Sequence, residues 1–331
     1  MARRSSSATQ TTTQEAAGGS RKGATGRRLN GTRGRRQAAS GTIRGDELRT
    51  AALFIAPGFL LYAVFMLFPF IQSIYYSFTD WNGATVNMPF VGLANYIDMF
   101  KDPLLWSAGW HTVVWIVVGT SVPVAIGLLL ALLLWSNTKF VVFFRTLYFI
   151  PFVIPVIVIG IVWGWIYHPL FGILNSLLEF VGLDSLTRGW LGDPNTALVA
   201  VIAAAIWASF GFVTVVLFAG LQGVDRGIVE AAEVDGASWL QRARFVIIPM
   251  IAPVLTLVTA ITLIGGFAVV DYIIIMTQGG PGTSSEVLGS YAYSKAFEQN
   301  SVGYGATLSI LITVLSLVAA VAFLRFRERE R

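Results

Sequence analysis

Residues 197–221 read ALVAVIAAAIWASFGFVTVVLFAGL, a run of 25 residues that contains no charged side chain. An α-helix needs about 20 consecutive apolar residues to cross the hydrocarbon core of a bilayer. Polar and apolar residues do not alternate along the run, as they do in the wall of a membrane β-barrel. The run therefore predicts a transmembrane helix.

Other apolar runs of similar length occur along the chain, and several of them contain proline. Proline breaks a soluble helix, but a membrane bundle tolerates it where neighbouring groups satisfy the freed backbone atoms. The composition agrees, because 55% of the residues are hydrophobic and 12% are charged, whereas a soluble domain has about a quarter charged. The sequence predicts an all-α integral membrane protein with six transmembrane helices, approximately Ala51–Ser77, Thr112–Trp135, Arg145–Tyr167, Ala197–Leu221, Val246–Met276 and Ala306–Phe326.

The first 45 residues are rich in Arg, Gly, Ser, Thr and Ala. They offer little apolar surface for a core, so we expect a disordered basic tail over residues 1–45, ahead of a transmembrane domain over residues 46–331. The favoured role of the tail is a topology signal, and binding to anionic lipid or nucleic acid and an organelle transit peptide are the alternatives. Membrane lipid is an expected partner of the chain, and nucleic acid is not.

The basic residues between and after the predicted spans are distributed unequally. One side of the membrane would carry only Lys101, Arg188 and Lys295. The other side would carry the tail and most of the remaining basic residues, among them Lys139, Arg145, Arg226, Arg242, Arg244, Arg325, Arg327, Arg329 and Arg331. Cytoplasmic loops hold the excess of Lys and Arg, so both termini are expected in the cytoplasm, which requires an even number of spans.

Several classes of chemistry are excluded by the residue inventory. The chain has no cysteine, and its two histidines, His111 and His168, lie far apart in sequence. A disulfide framework, a thiol nucleophile and a histidine metal cluster are therefore not expected, and no catalytic or metal site is predicted. The Gly-x-x-x-x-Gly-Lys-[Ser/Thr] loop of nucleotide-binding proteins is also missing from the sequence, so the chain is not expected to be an ATPase.

The linker after the fourth span reads GVDRGIVEAAEVDGASWLQRARFVIIP over residues 223–249. Asp225 can cap a first short helix, Gly236 permits a sharp turn, and Ser238 with Gln241 fits a capping box for a second helix. Small side chains and acids suit insertion into the groove of a basic partner protein. The alternative is an amphipathic connector lying on the lipid headgroups.

Within this linker, the spacing Glu230-Ala231-Ala232-x-x-Asp235-Gly236-Ala237 and then Pro249 resembles the EAA loop of binding-protein-dependent ABC importer permeases. Asp225 stands where these loops commonly have proline, and Ala243 stands where an aromatic residue is usual. Further stretches resemble carbohydrate-uptake permeases of the maltose-permease-F and glycerol-phosphate-permease-A type. They are residues 77–81, 90–96, 171–175, 190–196, 219–222 and 279–281, and the whole resemblance covers about residues 50–325.

The resemblance implies a type I ABC importer permease fold in a bacterial cell membrane, with a conserved core over about residues 108–325. It implies a non-catalytic subunit that binds no cofactor and works with two cytoplasmic ABC ATPase subunits, which bind ATP and Mg²⁺. A second, related permease forming a heterodimer and an extracytoplasmic solute-binding protein complete the expected assembly. The loop over residues 223–245 would couple the chain to the ATPase, and the residues implied in coupling are Glu230, Ala231, Ala232, Asp235, Gly236, Ala237 and Pro249.

The predicted spans lack central Lys or Arg, which favours a small neutral carbohydrate or related polyol over an anionic solute. Intramembrane ionisable and aromatic groups are candidates for lining a translocation path, although packing and interhelical contacts are equally good roles for them. These candidates are Asp271, Tyr272, Gln278, Trp207 and Phe210. The alternative function is an ATP-independent secondary transporter of a small polar solute, and an intramembrane enzyme and a scaffold or receptor subunit are further competing interpretations.

Overall fold

The computed structural model describes residues 45–136 and 140–329, and the regular secondary structure in this part of the chain is helical apart from one isolated bridge between Thr79 and Phe90. The predicted tail lies outside the described residues except for Gly45, as do Lys139 and Arg331, so the expectations about them stay predictions. Residues from Gly58 onward form one compact unit, and those up to Pro57 belong to a separate unit.

The helices are named in chain order. They are α1 Gly45–Tyr62, α2 Phe68–Tyr76, α3 Ala94–Lys101, α4 Pro103–Ser136, α5 Val141–Val153, α6 Val156–Ile166, α7 Ile173–Phe180, α8 Ala197–Leu221, α9 Arg226–Val234, α10 Trp239–Arg242, α11 Ile248–Met250, α12 Ala252–Phe267, α13 Asp271–Met276, α14 Leu288–Tyr293 and α15 Val302–Arg329. Three π-helical turns, Ala63–Leu67, Ala243–Ile247 and Ser294–Glu298, and one 3₁₀ turn, Asp184–Leu186, complete the set in the described residues.

Four stretches are long and apolar enough to cross a membrane: Ala52–Tyr76, Pro103–Trp135, Ala197–Leu221 and Val302–Arg329. Two bent pairs of helices meet the same criteria as pairs, α5 with α6 and α10–α11 with α12. The predicted number of six spans is reached when each bent pair counts as one crossing.

The third and fifth predicted spans are each divided by a bend. The axes of α5 and α6 differ by 97°, and those of Trp239–Met250 and Ala252–Phe267 by 76°. Proline disfavours helical geometry in the residue before it, and Ile154 is accordingly extended, with ψ 130°, ahead of Pro155. At the second bend, Ile251 leaves helical geometry two residues before Pro253. The fifth span also ends at Phe267, and α13 is a separate helix.

Helix α8 is the central element of the bundle and packs between α4 and α5. Glycine permits these close approaches, because a Cβ atom on Gly211 would lie 1.6 Å from the Tyr148 carbonyl oxygen, and one on Gly127 would lie 2.6 Å from Val213 Cγ1. The buried side chains around α8 include Leu132, Val213, Leu217, Leu221 and Val258. The helix therefore fixes the distance between the elements on either side of it.

We call the end of the bundle where α8 ends and α9 begins the loop end, and the end where α8 begins the far end. Polar contacts join separate helices at the far end. The Thr307 hydroxyl donates to the Ser77 carbonyl at 3.1 Å, and His111 Nδ1 lies 2.8 Å from the Glu286 carbonyl oxygen. Buried polar groups are normally satisfied in this way. The first contact joins α15 to the end of α2, and the second joins α4 to the segment before α14.

Asp102 lies between α3 and α4. Its carboxylate accepts hydrogen bonds from the hydroxyls of Tyr291 and Tyr304, the second at 3.0 Å. Burial acts to raise the pKa of Asp102, but these bonds and the Leu104 N–H outweigh it and hold the pKa below its usual value. The charged form of Asp102 therefore ties α14 and α15 to the start of α4.

Candidate functional site

The linker at the loop end is a hairpin of two short helices. The Asp225 side chain accepts a hydrogen bond from the Gly227 N–H at 2.8 Å and so caps α9. Gly236 ends the helix with φ +84°, and its N–H donates to the Glu233 carbonyl while the Ala237 N–H donates to the Ala232 carbonyl. The cap and the turn predicted from the sequence are confirmed.

The second helix of the hairpin, α10, begins with the predicted capping box. The Ser238 N–H donates to Gln241 Oε1 at 2.7 Å, and the Gln241 N–H donates to Ser238 Oγ at 3.4 Å. The chain then continues through a π-helical turn, in which Ala243 and Ile247 are buried beside Leu221. Ala243 thus belongs to the same buried cluster as the end of α8.

Two contacts that sequence reasoning missed connect the hairpin internally and to the bundle. The Arg242 guanidinium forms an ion pair with Glu233, which joins α10 to α9. The Arg226 guanidinium lies over the ring of Trp135 in α4, 5.6 Å from the ring centroid, a cation–π contact. Both arginines had been counted only as topology signals. Trp135 is distant from Arg226 in the sequence, and nothing in the local sequence marks either contact.

The outer surface of the hairpin is acidic and partly apolar. Glu230, Asp235 and Gly236 are exposed, and Val234 between them is 88% exposed. Of the remaining predicted coupling residues, Ala231 is exposed, Ala232 and Ala237 are half-buried, and Pro249 lies apart from the hairpin tip in α11. The exposed coupling residues at the hairpin tip are therefore accessible to a partner protein.

A cavity of about 310 Å³ lies between α4, α8, α12 and α13. Asp271 and Tyr272, which were predicted to line a translocation path, both line this cavity. Trp115, Ser209 and Thr262 line it as well. The Trp115 and Tyr272 rings are 6.2 Å apart. Sequence reasoning missed Ser209 and Thr262, because hydroxyl residues in apolar helices usually bond to their own backbone, as these two do.

The other three path candidates do not line this cavity. Trp207 packs against Trp163 with ring centroids 5.8 Å apart, and Phe210 packs against Tyr148 at 6.1 Å. Gln278 has φ +52° in the turn that follows α13. The structure thus brings together two of the five predicted path residues at the cavity. Trp207 and Phe210 instead pack against other aromatic side chains.

Similarity to known proteins identifies the class to which this bundle of bent apolar helices with a hairpin at one end belongs. Residues 123–330 match the family described as "Binding-protein-dependent transport system inner membrane component". The chain belongs to this family. A probable ABC transporter permease protein of Pyrococcus horikoshii is 33% identical over 290 residues, covering 87% of this chain and 99% of that protein.

Two further similarities concern transporters of saccharides. The lactose transport system permease protein LacF of Rhizobium radiobacter is 34% identical over 286 residues, which cover 84% of this chain and 94% of LacF. A chain from the crystal structure of a bacterial ABC transporter involved in the import of the acidic polysaccharide alginate superimposes with a TM-score of 0.75. Its identity is 22%, over 87% of this chain and 97% of that one, and it shows the shared fold.

These findings confirm the predicted family resemblance and the predicted helical permease fold, and the number of six spans stays a prediction. The chain is a multi-pass ABC transporter permease of the inner membrane, with the all-helical fold of an importer permease.

Proposed function

We propose that this chain is one membrane-spanning subunit of an ATP-driven importer for a small neutral carbohydrate or related polyol. The observation that carries the proposal is the capped hairpin over residues 223–245, which exposes Glu230, Val234 and Asp235 on a family-typical permease fold. The hairpin lies at the end of α8 where basic residues concentrate, so the loop end and both termini face the cytoplasm.

The hairpin is the contact for a cytoplasmic ABC ATPase subunit. Its small residues Ala231 and Ala232 allow close approach of a partner surface, and its acids suit basic groups there. ATP and Mg²⁺ bind to two ATPase subunits, and their closure moves the hairpin as a rigid body, since Arg242–Glu233 and Arg226–Trp135 fix it internally and to α4. A second, related permease completes the membrane part as a heterodimer, and this chain performs no catalysis.

The far end receives an extracytoplasmic binding protein that delivers the solute. One relative, LacF, is named as a permease of a lactose transport system, and this similarity supports a saccharide as the solute of this chain. The cavity around Asp271 supports the same class, because one carboxylate with hydroxyl and aromatic groups suits hydroxyl donors and sugar ring faces. Asp271 and Tyr272 are the proposed path residues, and Ser209 and Thr262 join them.

Proteoliposomes containing the chain with its second permease and ATPases test the proposal. We expect saccharide uptake that requires ATP on the hairpin side and a loaded binding protein on the other side, and that vanadate inhibits. Matched vesicles with a solute-free binding protein should show no uptake. Uptake by the purified chain alone, driven by an ion gradient and insensitive to vanadate, would establish the alternative of a secondary transporter.

The variant Asp271→Asn tests the solute path. Loss of hydrogen bonds to a charged carboxylate is worth about 1.5 kcal/mol or more, so uptake at low solute concentration should fall by about tenfold. Stimulation of ATP hydrolysis by the loaded binding protein should persist, since the hairpin is unchanged. Asp184→Asn, at the same end but outside the cavity, is the control and should leave uptake unchanged. Equal uptake by both variants would remove Asp271 from the path.

A further inference from the structure

Helix α7, at the far end between α6 and α8, exposes a row of large apolar side chains. Ile173, Leu177 and Phe180 follow one another at helical spacing on one face, and they are 64%, 56% and 88% exposed. Ser176 and Glu179 are also exposed and lie on the adjacent face. The third face, with Asn175 buried, packs against the protein. The helix thus has one apolar, one polar and one protein-contacting face.

The apolar face cannot turn inward, because Asn175 fixes the segment that carries it. The Asn175 side-chain amide donates to the carbonyls of Pro169 at 3.3 Å and of Arg188 at 3.0 Å. Its oxygen accepts from Trp190 Nε1 at 2.8 Å. The segments before and after α7 therefore both bond to the Asn175 side chain. These bonds fix the orientation of α7, in which Leu177 and Phe180 face outward.

The exposed apolar surface does not stop at α7. A shallow apolar cavity of about 640 Å³ is lined by Val162, Trp165 and Ile166 of α6 and by Phe171 and Ile173. Helix α6 belongs to a bent pair that is long and apolar enough to span a membrane. The face of α7 thus continues the exposed apolar surface of a helix pair that can span a membrane.

We propose that α7 lies in the interfacial layer of the bilayer at the far end, with Ile173, Leu177 and Phe180 against acyl chains. Ser176 and Glu179 then face the headgroups and water, as in other interfacial amphipathic helices. Continuity with α6 favours lipid as the occupant over a protein surface. This assignment goes beyond the transport function and does not depend on which solute or ATPase the chain works with.

Single spin labels test the assignment, because the chain contains no cysteine and each variant introduces one thiol. Leu177→Cys and Phe180→Cys probe the apolar face, and Ser176→Cys is the matched control one residue from position 177. The complete transporter is reconstituted in phospholipid bilayers, and uptake by each variant confirms that it is folded. Accessibility of each label to oxygen and to a water-soluble nickel complex is then measured.

Labels at 177 and 180 should be more accessible to oxygen than to nickel, and the label at 176 should show the reverse order. Greater nickel accessibility at 177 and 180 would place the face in water and overturn the proposal. Immobile labels shielded from both reagents at 177 and 180 would show that a protein subunit covers the face, which would also overturn it.

Discussion

Transporters carrying Gly236→Pro are expected to lose ATP-driven uptake while the chain still inserts into the membrane. Gly236 has φ +84°, whereas proline requires a φ near −65°, and the substitution also removes the N–H that bonds to the Glu233 carbonyl. The turn between α9 and α10 cannot form, so Glu230 and Asp235 lose their positions relative to α10. Solute uptake and solute-stimulated ATP hydrolysis measure the loss, and the amount of chain in the membrane fraction measures insertion.

The same substitution at Gly182 is a matched control. Gly182 follows α7 with φ +77°, and the N–H groups of Gly182 and Leu183 bond to Glu179 and Leu178 in the pattern seen at Gly236 and Ala237. Gly182→Pro therefore creates the same backbone conflict at the opposite end of α8, and ATPase stimulation should persist. Gly236→Asn should retain most uptake, since asparagine tolerates positive φ. Wild-type uptake by Gly236→Pro would exclude the hairpin from coupling.

The second large effect is expected for Gly211→Ala, which should destabilise the bundle itself. The added Cβ would lie 1.6 Å from the Tyr148 carbonyl oxygen, and a backbone atom of a packed helix cannot move aside as a side chain can. Overpacking of this kind costs about 1–3 kcal/mol and occasionally more. The midpoint of thermal aggregation, followed by size-exclusion chromatography in detergent, should fall clearly below that of the wild type.

Gly265→Ala in α12 provides the comparison, because nothing lies within 4 Å of a Cβ atom at that position. It should match the wild type or exceed it slightly, since alanine has the higher helix propensity. Equal midpoints for the two variants would mean that α5 and α8 can move apart without loss of stability. That result would contradict the close packing of these helices at Gly211.

Features that depend on neighbouring residues in the chain were predictable from the sequence. The caps at Asp225 and Ser238 and the turn at Gly236 each involve residues within a few positions, and the structure has them as expected. The apolar runs likewise predicted the helices, because length and composition alone decide whether a segment can span a bilayer.

The bends and the contacts between distant residues were not predictable in this way. Pro123 lies inside the continuous helix α4, whereas Pro155 ends one helix and opens another, so proline alone does not indicate which span is broken. The Arg226–Trp135 contact and the lining of the cavity by Ser209 and Thr262 depend on how helices pack. Asp271 was found because an ionisable group in an apolar stretch stands out, and hydroxyl groups there do not.

The break between α5 and α6 also determines where this bundle can flex. Ile154 N is the last donor of α5 and bonds back to Pro151, while Pro155 O is the first acceptor of α6 and bonds forward to Val158 and Ile159. A few backbone dihedrals at these positions therefore set the angle between the two helices, whereas α8 continues unbroken for 25 residues. Because α6 packs against α13, which carries Asp271, a rotation at this hinge would shift one wall of the cavity without unfolding a helical turn.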